Sequence, residues 1–543
     1  MGDAVRNRGL ISIFCMMGVL MVVLDSTISI VALPYMQGSL SATMDQITWV
    51  ISSYIIVSAI MTAPVGWLAN RFGRKNLYLT CLIGFTCSSS LAGAAQSLEQ
   101  MIAFRVLQGT FGAALVPLSQ ATMLDIYPTE QRARAMAYFG MGVMIGPIMG
   151  PTLGGYLTEW FHWRWVFYVN VPLGIVASVG LAMLMPRTSP QQGMRFDWTG
   201  FGVLAMGVGA LQLMLDRGQI KDWFTSGEII AYAVLGVLGI YLFVVHMLTA
   251  ERPFIPRALF RDRNFTTAML VMFASNTVMM SSSTLLAPYL QRMSGYSVAD
   301  AGLLLAPRGF GTMVAMLLCS RLGPYTDQRK LIAVGLTLLS LTLYDMSTWT
   351  PDIGQQWLVA MMLVQGAAMG LIWNPLTVVS FSSLPAPLRG DATAVQSLGR
   401  NIGAAIGISI TTFSLSHWIQ ASHAGLSANF TPFTRALPGQ DGAAQLLDAT
   451  TQHGAIMLDR IINREAMIIA YSNDFLMMSM VAIPCMVLVL MMRRVTAPGP
   501  GPGPGPGPAR SGPPAAPPGK AAVPPPGAGT QAEPARAAAA PSR

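Results

Sequence analysis

The segment Ile11–Met36, ISIFCMMGVLMVVLDSTISIVALPYM, is long and apolar enough to cross a membrane, yet Asp25 lies near its middle. A second such segment, Met101–Leu124 (MIAFRVLQGTFGAALVPLSQATML), carries Arg105. A charge in hydrocarbon costs several kcal/mol unless it is paired or faces water, and such residues usually mark a proton or substrate path. The opposite signs predict that the two residues stabilise each other. A purely structural buried ion pair is the alternative.

The rest of the chain repeats this pattern. Of its 543 residues, 53% are hydrophobic and 10% are charged, whereas soluble domains carry about 25% charged residues. About fourteen apolar runs of membrane-spanning length predict an all-α membrane protein. The runs are roughly 10–34, 46–68, 76–97, 101–124, 135–157, 164–185, 197–215, 228–249, 265–290, 300–320, 329–349, 355–376, 392–415 and 467–492.

The distribution of positive charge predicts the topology. The formal net charge is +9, and about 23 of the 33 Lys and Arg fall in the two terminal segments and in alternate loops between the runs. Because cytoplasmic loops are enriched in Lys and Arg, both termini should be cytoplasmic, in a multi-pass protein of the inner (plasma) membrane. The basic residues are scattered over separate loops, which argues against a nucleic-acid partner. The five cysteines all lie in apolar runs, which argues against disulfides and a metal site.

An internal repeat predicts two related halves. Gln108-Gly109 in the fourth run corresponds to Gln365-Gly366 in the twelfth, which places Arg105 opposite Met362. Glycines also recur at four-residue spacing in the fifth and thirteenth runs, where they form a smooth stripe for close helix approach. The stripes are Gly142, Gly146, Gly150 and Gly154, and Gly399, Gly403 and Gly407. Duplicated halves are typical of secondary transporters.

The repeat divides the chain into four regions. We predict an N-terminal six-helix bundle at 1–195, two inserted transmembrane helices at 196–250, a C-terminal six-helix bundle at 251–495, and a disordered Gly/Pro/Ala-rich cytoplasmic tail at 496–543. Within the C-terminal bundle, 416–466 is predicted to be an outside loop. Its segment Ala443–Ile462 has helix-like apolar spacing, which predicts an amphipathic helix that leads into the last span. Both a solvated loop and a docking surface for an external partner stay open.

Four motifs resemble those of the major facilitator superfamily. Gly66–Lys75 (GWLANRFGRK) is similar to the signature loop between that family's second and third helices, and Arg105–Gly109 (RVLQG) to its helix-four motif. Gly146–Gly155 (GPIMGPTLGG) resembles the helix-five motif of antiporters. Leu24–Pro34 (LDSTISIVALP) resembles the first-helix motif of the fourteen-helix drug:proton antiporter branch, the EmrB/QacA type. The resemblance covers about residues 10–495.

Two positions depart from the family pattern. Asn70 stands where the family usually has Asp, which puts a charge contact of that loop in doubt. Ala137 stands where the longest form of the antiporter motif has a further glycine.

The resemblance implies the major facilitator fold, with two six-helix bundles and two extra transmembrane helices between them. It also implies partners: the lipid bilayer, protons, a small amphipathic organic substrate and, as in EmrB-type pumps of double-membrane bacteria, a periplasmic adaptor protein and an outer-membrane channel. No cofactor or metal is expected. The motif residues implied to control the conformational change are Gly66, Asn70, Arg71, Gly73, Arg74, Lys75, Gly109, Gly146, Pro147, Gly150, Pro151, Gly154 and Gly155.

Asp25 is the leading candidate for the coupling carboxylate. A proton from outside would neutralise it and weaken its hold on Arg105, and the bundles would then rock. Seven further residues are predicted to line a cavity, although Arg308 and Arg400 could instead snorkel to a membrane surface. The seven are Trp49, Tyr54, Gln108, Arg308, Trp373, Asn374 and Arg400.

The sequence therefore favours a proton-coupled antiporter that exports amphipathic, partly cationic or neutral organic compounds or drugs by alternating access. Two alternatives stay open: an uptake carrier or uniporter of the same family for a small metabolite, and a non-transporting membrane receptor or scaffold. The helix-five motif and the two extra helices favour export over uptake. An enzyme is not expected, because the chain has no phosphate-binding Gly-rich Lys-Ser/Thr loop.

Overall fold

The computed structural model describes residues 7–128, 131–186, 196–251, 253–322, 325–385, 388–428 and 452–492. Within these ranges the regular secondary structure is helical, and each of the fourteen predicted apolar runs coincides with one helix or with two consecutive helices. The predicted tail at 496–543 and the central part of the predicted loop at 416–466 lie outside the described residues.

Fourteen long helices, three of them broken, follow one another along the described chain, with short helical segments at Met44–Ile47, Trp223–Thr225 and Ala258–Arg261 between them. They are α1 (Arg8–Ser39), α2 (Trp49–Thr62 and Val65–Phe72), α3 (Arg74–Ala94), α4 (Leu98–Gly112 and Leu115–Ile126), α5 (Arg132–Trp160), α6 (Trp165–Tyr168 and Asn170–Leu184), α7 (Trp198–Arg217), α8 (Gly227–Thr249), α9 (Arg263–Arg292), α10 (Val298–Leu322), α11 (Gln328–Met346), α12 (Gln355–Ser382), α13 (Arg389–Ser427) and α14 (Gln452–Met491).

Most of these helices meet the requirements for crossing a membrane. Eleven in the described chain are long and apolar enough, or twelve if the two parts of α2, which meet at 59°, form one span. The remaining two, α5 and α11, contain 29 and 19 residues. At about 1.5 Å per residue, α11 matches a hydrocarbon core of about 30 Å and α5 is longer than that core. The chain is therefore a multi-pass membrane protein.

The first six and the last six helices form two bundles, each with its own apolar core. One core, which includes Phe167, is made entirely of residues from the N-terminal bundle. Another, which includes Phe475, comes almost entirely from the C-terminal bundle. A third contains residues of both bundles, among them Leu124 and Leu398, and joins the two halves.

The two inserted helices pack as a pair beside the N-terminal bundle. A Cβ atom on Gly239 of α8 would lie only 2.5 Å from Gly207 Cα of α7, so their backbones approach as closely as glycine permits. On its other side α7 contacts α2, where the Ser52 hydroxyl donates to the Asp216 carboxylate. Most of α8 is exposed, so this helix lies at the lipid-facing edge of the protein.

The described parts of the predicted outside loop at 416–466 are mainly helix. Helix α13 continues to Ser427 and α14 is already helical at Gln452. At about 1.5 Å per residue each is roughly 60 Å long, about twice the hydrocarbon thickness. The two extensions are joined by a hydrogen bond between His423 Nε2 and Asp459 Oδ1 at 3.0 Å. Hydropathy falls where a helix leaves the bilayer, but backbone hydrogen bonding continues there.

We predict that the loop between α2 and α3 faces the cytoplasm and the α13 extension faces outward, because of the positive charge on the former. In a cysteine-free background, Ala421→Cys should react with a membrane-impermeant maleimide in intact cells. The matched variant Asn76→Cys, also at an exposed position, should react only after the membrane is opened. Labelling of Asn76→Cys in intact cells, and of Ala421→Cys only after the membrane is opened, would contradict this topology.

Candidate functional site

A buried ion pair joins the first and fourth helices. Arg105 donates through Nη1 to Asp25 Oδ2 at 2.5 Å. The exposed fractions of the two side chains are 1% and 0%. The two intramembrane charges that the sequence pairs are therefore in direct contact. Because no water reaches them, each charge depends on the other, and removal of one would leave the other uncompensated.

Three amide and hydroxyl side chains complete the surroundings of the Asp25 carboxylate. Gln108 Nε2 donates to Asp25 Oδ1 at 2.8 Å and Asn170 Nδ2 donates to the same oxygen at 3.1 Å. Gln108 also accepts from Arg105 Nη1 at 2.8 Å, and Asn170 donates to Ser89 Oγ at 3.1 Å. Both carboxylate oxygens thus have protein donors, and helices α1, α3, α4 and α6 meet at one polar cluster.

The Arg105 guanidinium is held on its other sides by α2 and α6. Its Nε donates to the Val50 carbonyl at 2.9 Å. The guanidinium carbon lies 4.3 Å from the centroid of the Tyr54 ring and 5.7 Å from that of Phe167. Both contacts are attractive because the faces of aromatic rings carry negative potential. A movement of Arg105 would therefore disturb α2 and α6 as well as α1.

The C-terminal bundle contains a matching contact without the charges. Gln365 of α12 donates through Nε2 to Ser282 Oγ of α9 at 3.1 Å, in the same way that Gln108 of α4 donates to Asp25 of α1. Ser282 and Gln365 are both fully buried. The serine therefore occupies the position in the second half that the aspartate occupies in the first.

The neighbouring residues follow the same correspondence. Met362, fully buried, lies one turn before Gln365, as Arg105 lies one turn before Gln108. The glycine after each glutamine packs against the backbone of the second helix of its own bundle: Gly109 packs on the Tyr54 carbonyl of α2 and Gly366 on the Arg308 carbonyl of α10. The packing contacts are thus shared by both halves, whereas the ion pair belongs to the N-terminal half alone.

The glycine stripe of α5 lies against α1. Cβ atoms added at Gly146, Gly150 and Gly154 would collide or come into tight contact with Val23, Thr27 and Ile28, respectively. The Thr27 hydroxyl also donates to the Gly146 carbonyl at 3.4 Å. The stripe therefore joins two helices of the same bundle, and it meets α1 next to Asp25.

The second stripe makes the equivalent contact in the C-terminal bundle. Thr277 of α9 donates to the Gly403 carbonyl at 3.0 Å, and Ser281 donates to the Gly407 carbonyl at 2.9 Å. Gly155 does not belong to the α5 stripe, because a Cβ there would meet nothing within 4 Å.

The side chains of Pro147 and Pro151 lie outside the described part of the structure.

The signature loop between α2 and α3 is held by contacts from both halves. Gly73 adopts φ 84°, in the range that favours glycine. Arg74 forms an ion pair with Asp125 of α4, and Asp125 also lies 3.7 Å from Arg389 of α13. The Lys75 ammonium donates to two backbone carbonyls at the end of α6, each at 2.7 Å. Asp125 thus carries the charge contact between the halves at this end.

The remaining loop residues meet their neighbours differently. Gly66 packs so closely on Asp391 of α13 that a Cβ would collide with its carboxylate. Asn70 and Arg71 form no ion pair within the described chain. Asn70, which replaces the usual Asp of the family, therefore does not make the charge contact that an Asp could make there.

Three of the seven predicted lining residues do face a cavity. Trp373, Asn374 and Arg400 line a space of about 20 Å³ between the two bundles. Tyr54 and Gln108 belong instead to the ion-pair cluster. Sites for drug-sized molecules have volumes of roughly 300–1,000 Å³. This cavity is therefore too small for such a molecule in the observed conformation.

The other two predicted lining residues point elsewhere. The Trp49 ring lies under the Arg217 guanidinium, whose carbon is 5.3 Å from the ring centroid, so it faces the inserted helix α7. Arg308 donates through Nη1 to Ser283 Oγ at 2.9 Å, inside the C-terminal bundle. An apolar run shows which residues lie within a span but not which face meets the cavity.

The structure adds polar residues that the sequence analysis did not single out. Asn170 and Ser89 join the ion-pair cluster, and Asp474 of α14 is a second fully buried carboxylate. Asp474 accepts from the Ser414 hydroxyl at 2.5 Å and has no cation partner within the described residues. Each is a polar residue inside an apolar run, the same signal that identified Asp25.

Two helical bundles with related contacts and a small cavity between them are typical of a secondary transporter. A family model described as Major Facilitator Superfamily matches residues 15–408, and the chain belongs to this family. Solved structures agree on the fold: the human organic anion transporter MFSD10 has a TM-score of 0.59 at 13% identity and covers 89% of this chain and 99% of its own. The proton:xylose symporter XylE has a TM-score of 0.56 at 13% identity, with 91% and 97% covered.

Within the family, the chain is of the EmrB multidrug transporter type. The Multidrug export protein EmrB of Escherichia coli (strain K12) is 34% identical over 459 residues, which are 84% of this chain and 90% of that protein. EmrB of Haemophilus influenzae is 36% identical, with 76% and 81% covered. The Fatty acid resistance protein FarB of Neisseria gonorrhoeae is 31% identical, with 85% and 91% covered. The chain is thus a multidrug efflux transporter of the inner membrane and not an enzyme.

Proposed function

We propose that this transporter is a proton-coupled antiporter that exports amphipathic organic compounds by alternating access. The observation that carries the proposal is the Asp25–Arg105 ion pair, which is fully buried and present in only one of two otherwise matching halves. A contact needed for packing alone would be expected in both halves. The relatives named for multidrug export and fatty acid resistance support amphipathic compounds as cargo.

Protonation of Asp25 would couple the proton to the conformation. It removes the charge that Arg105 faces, while Gln108 and Asn170 keep neutral hydrogen-bonding partners. Arg105 then binds less strongly to α1, and the contacts among α1, α2, α4 and α6 change together. A proton can shift a conformational equilibrium only if it binds one state better than the other, and an ion pair that is intact in one state provides that difference.

The transport cycle also requires the halves to separate at the α2–α3 end. Asp125 lies 3.7 Å from Arg389 there, and Gln120 Nε2 donates to Gln396 Oε1 at 3.1 Å across the interface. Opening of the cavity toward the cytoplasm would break these contacts. Movement of one charge through a membrane potential of 100 mV provides about 2.3 kcal/mol, which is enough to offset a few such polar contacts.

We further propose both termini in the cytoplasm and an assembly with a periplasmic adaptor protein and an outer-membrane channel. The extensions of α13 and α14 beyond the bilayer support this arrangement, because they would stand on the periplasmic side. Crosslinking from single cysteines on these extensions in intact cells of a double-membrane bacterium tests it. The absence of any crosslinked partner from all exposed positions would count against the adaptor.

We predict that Gly150→Val abolishes transport while substrate binding stays measurable, because the new side chain would collide with Thr27 and force α5 away from α1. The matched variant is Gly155→Val, five residues along the same helix, where a Cβ meets nothing within 4 Å. It should transport at close to the normal rate. Efflux and equilibrium binding in proteoliposomes measure both properties, and normal turnover in Gly150→Val would remove the stripe from the mechanism.

A further inference from the structure

Two arginines of the C-terminal bundle have no acidic partner. Arg308 donates to Ser283 Oγ at 2.9 Å, and Arg400 donates through Nη2 to Ser397 Oγ at 3.0 Å. Within the described residues neither arginine forms an ion pair. Both lie inside helices that cross the membrane, where a cation with only a neutral hydroxyl as partner is expensive.

Arg400 differs from Arg308 because it faces the space between the halves. The cavity there combines this one guanidinium with aromatic, thioether and amide side chains, and its lining contains no carboxylate. The main contributors besides Arg400 are Gln120, Phe139, Met272, Met316, Trp373 and Asn374. Methionine side chains adapt to apolar groups of varied shape. The wall therefore offers one fixed positive charge within a surface suited to apolar molecules.

The N-terminal residues that line the cavity, which are Gln120, Met136, Phe139, Gly140 and Val143, include no carboxylate that could pair with a cationic cargo. Asp25 is already paired with Arg105, and both its oxygens accept hydrogen bonds from protein groups. A guanidinium, in contrast, forms strong charge-assisted hydrogen bonds with a carboxylate or sulfonate. The counter-charge for Arg400 is therefore negative, and we expect the cargo to supply it.

We propose that Arg400 binds the acidic group of the cargo, so that the exported compounds include amphipathic organic anions whose apolar part packs on the methionine and aromatic wall. This inference rests on the proposed export function and names its substrate class. It differs from the cationic or neutral cargo expected from the sequence. That expectation counted apolar and methionine residues but could not tell that Arg400, and no free carboxylate, faces the cavity.

A second feature points to the same chemistry. On the seam between α5 and α10, a groove of about 450 Å³ is lined by Arg134, Arg321 and several aliphatic side chains. Gly140 and Met316, which line the inner cavity, are in contact on the same seam. The groove lies at the α2–α3 end of the protein, where an amphipathic anion in the membrane surface would meet two basic residues next to an apolar surface.

The test uses two dyes that share one aromatic frame, the anion anilinonaphthalene sulfonate and the neutral N-phenylnaphthylamine. Each is titrated into the full-length protein in nanodiscs of zwitterionic lipid, with empty nanodiscs as background. We expect Arg400→Met to weaken binding of the sulfonate about tenfold or more, as expected for loss of a charge-assisted hydrogen bond. Binding of the neutral dye should change by less than about twofold. Equal changes for both dyes, or no change for either, would overturn the inference.

Two variants separate the charge from its position. Arg400→Lys keeps the charge and should retain most of the sulfonate affinity. Arg308→Met removes the same charge from the same bundle away from the cavity, and it should retain the sulfonate affinity of the unmodified protein. A loss in Arg308→Met equal to that in Arg400→Met would assign the effect to the overall charge of the bundle and contradict the site.

The source of the bound anion is tested in nanodiscs that contain phosphatidylglycerol. If this lipid abolishes sulfonate binding by the unmodified protein, the cavity is a lipid site and the inference about cargo fails. Unchanged binding supports a free amphipathic anion. These titrations need no proton gradient, so a failure of proton-driven efflux in a separate flux assay would contradict the proposed function without affecting the result on Arg400.

Discussion

Asp25→Asn is expected to reduce proton-driven efflux to the background of liposomes without protein, while equilibrium binding of substrate remains. The amide is nearly the same size as the carboxylate and can still accept from Gln108 or Asn170. It cannot carry a proton on and off, and it leaves Arg105 without its counter-charge. The measurement is efflux from proteoliposomes with an imposed pH gradient, with and without a protonophore.

The matched control is Asp474→Asn, which makes the same change at the other fully buried carboxylate. Asp474 lies in α14 and contacts a serine hydroxyl instead of an arginine, so this variant should keep gradient-dependent efflux. Normal proton-driven efflux in Asp25→Asn would contradict the proposal that Asp25 couples protons to transport. If Asp474→Asn lost coupling instead, the coupling carboxylate would lie in the C-terminal bundle.

The double variant Asp25→Ser/Arg105→Met should fold stably and yet be inactive. It copies into the first half the residues that the second half carries at the matching positions, Ser282 and Met362, beside the shared glutamine. Each single variant leaves one buried charge unpaired, which costs about 3–5 kcal/mol. The double variant removes both charges, so its stability should exceed the value expected from adding the two single effects.

Thermal unfolding temperatures of the four proteins in one detergent test this expectation, and flux assays on the same preparations test activity. Additive losses of stability would show that the two charges do not depend on each other. Transport by the double variant at the normal rate would reduce the ion pair to a structural contact and remove the observation on which the proposed mechanism rests.

Much of the fold follows from local physical constraints that the sequence alone expresses. The thickness of the bilayer sets the length of an apolar run, and the fourteen predicted runs all coincide with helices. Because a lone charge in hydrocarbon is costly, the sequence predicts that Asp25 and Arg105 pair, and Arg105 Nη1 lies 2.5 Å from Asp25 Oδ2. Both inferences succeed because the membrane imposes the same requirement at every position along the chain.

The same reasoning was incomplete about 416–466: it predicted a helix only at Ala443–Ile462, whereas the described parts at both ends of this segment are helical almost throughout. Hydropathy marks where a helix enters or leaves the membrane, but not where its hydrogen bonding stops. Predictions about the cavity were mixed for a related reason. Trp373 and Arg400 face it, whereas Trp49 lies under Arg217 of an inserted helix.

The sequence by itself determined which segments cross the membrane, that two halves repeat, and that one half alone carries a pair of opposite charges. Only the tertiary structure decided that Asn170 and Ser89 join this pair, that Asp125 links Arg74 and Arg389 across the halves, and that Arg400 faces the cavity without an acidic partner. The physical reason is that hydropathy and spacing act along one helix. Which faces of different helices meet is set by packing among residues far apart in the chain.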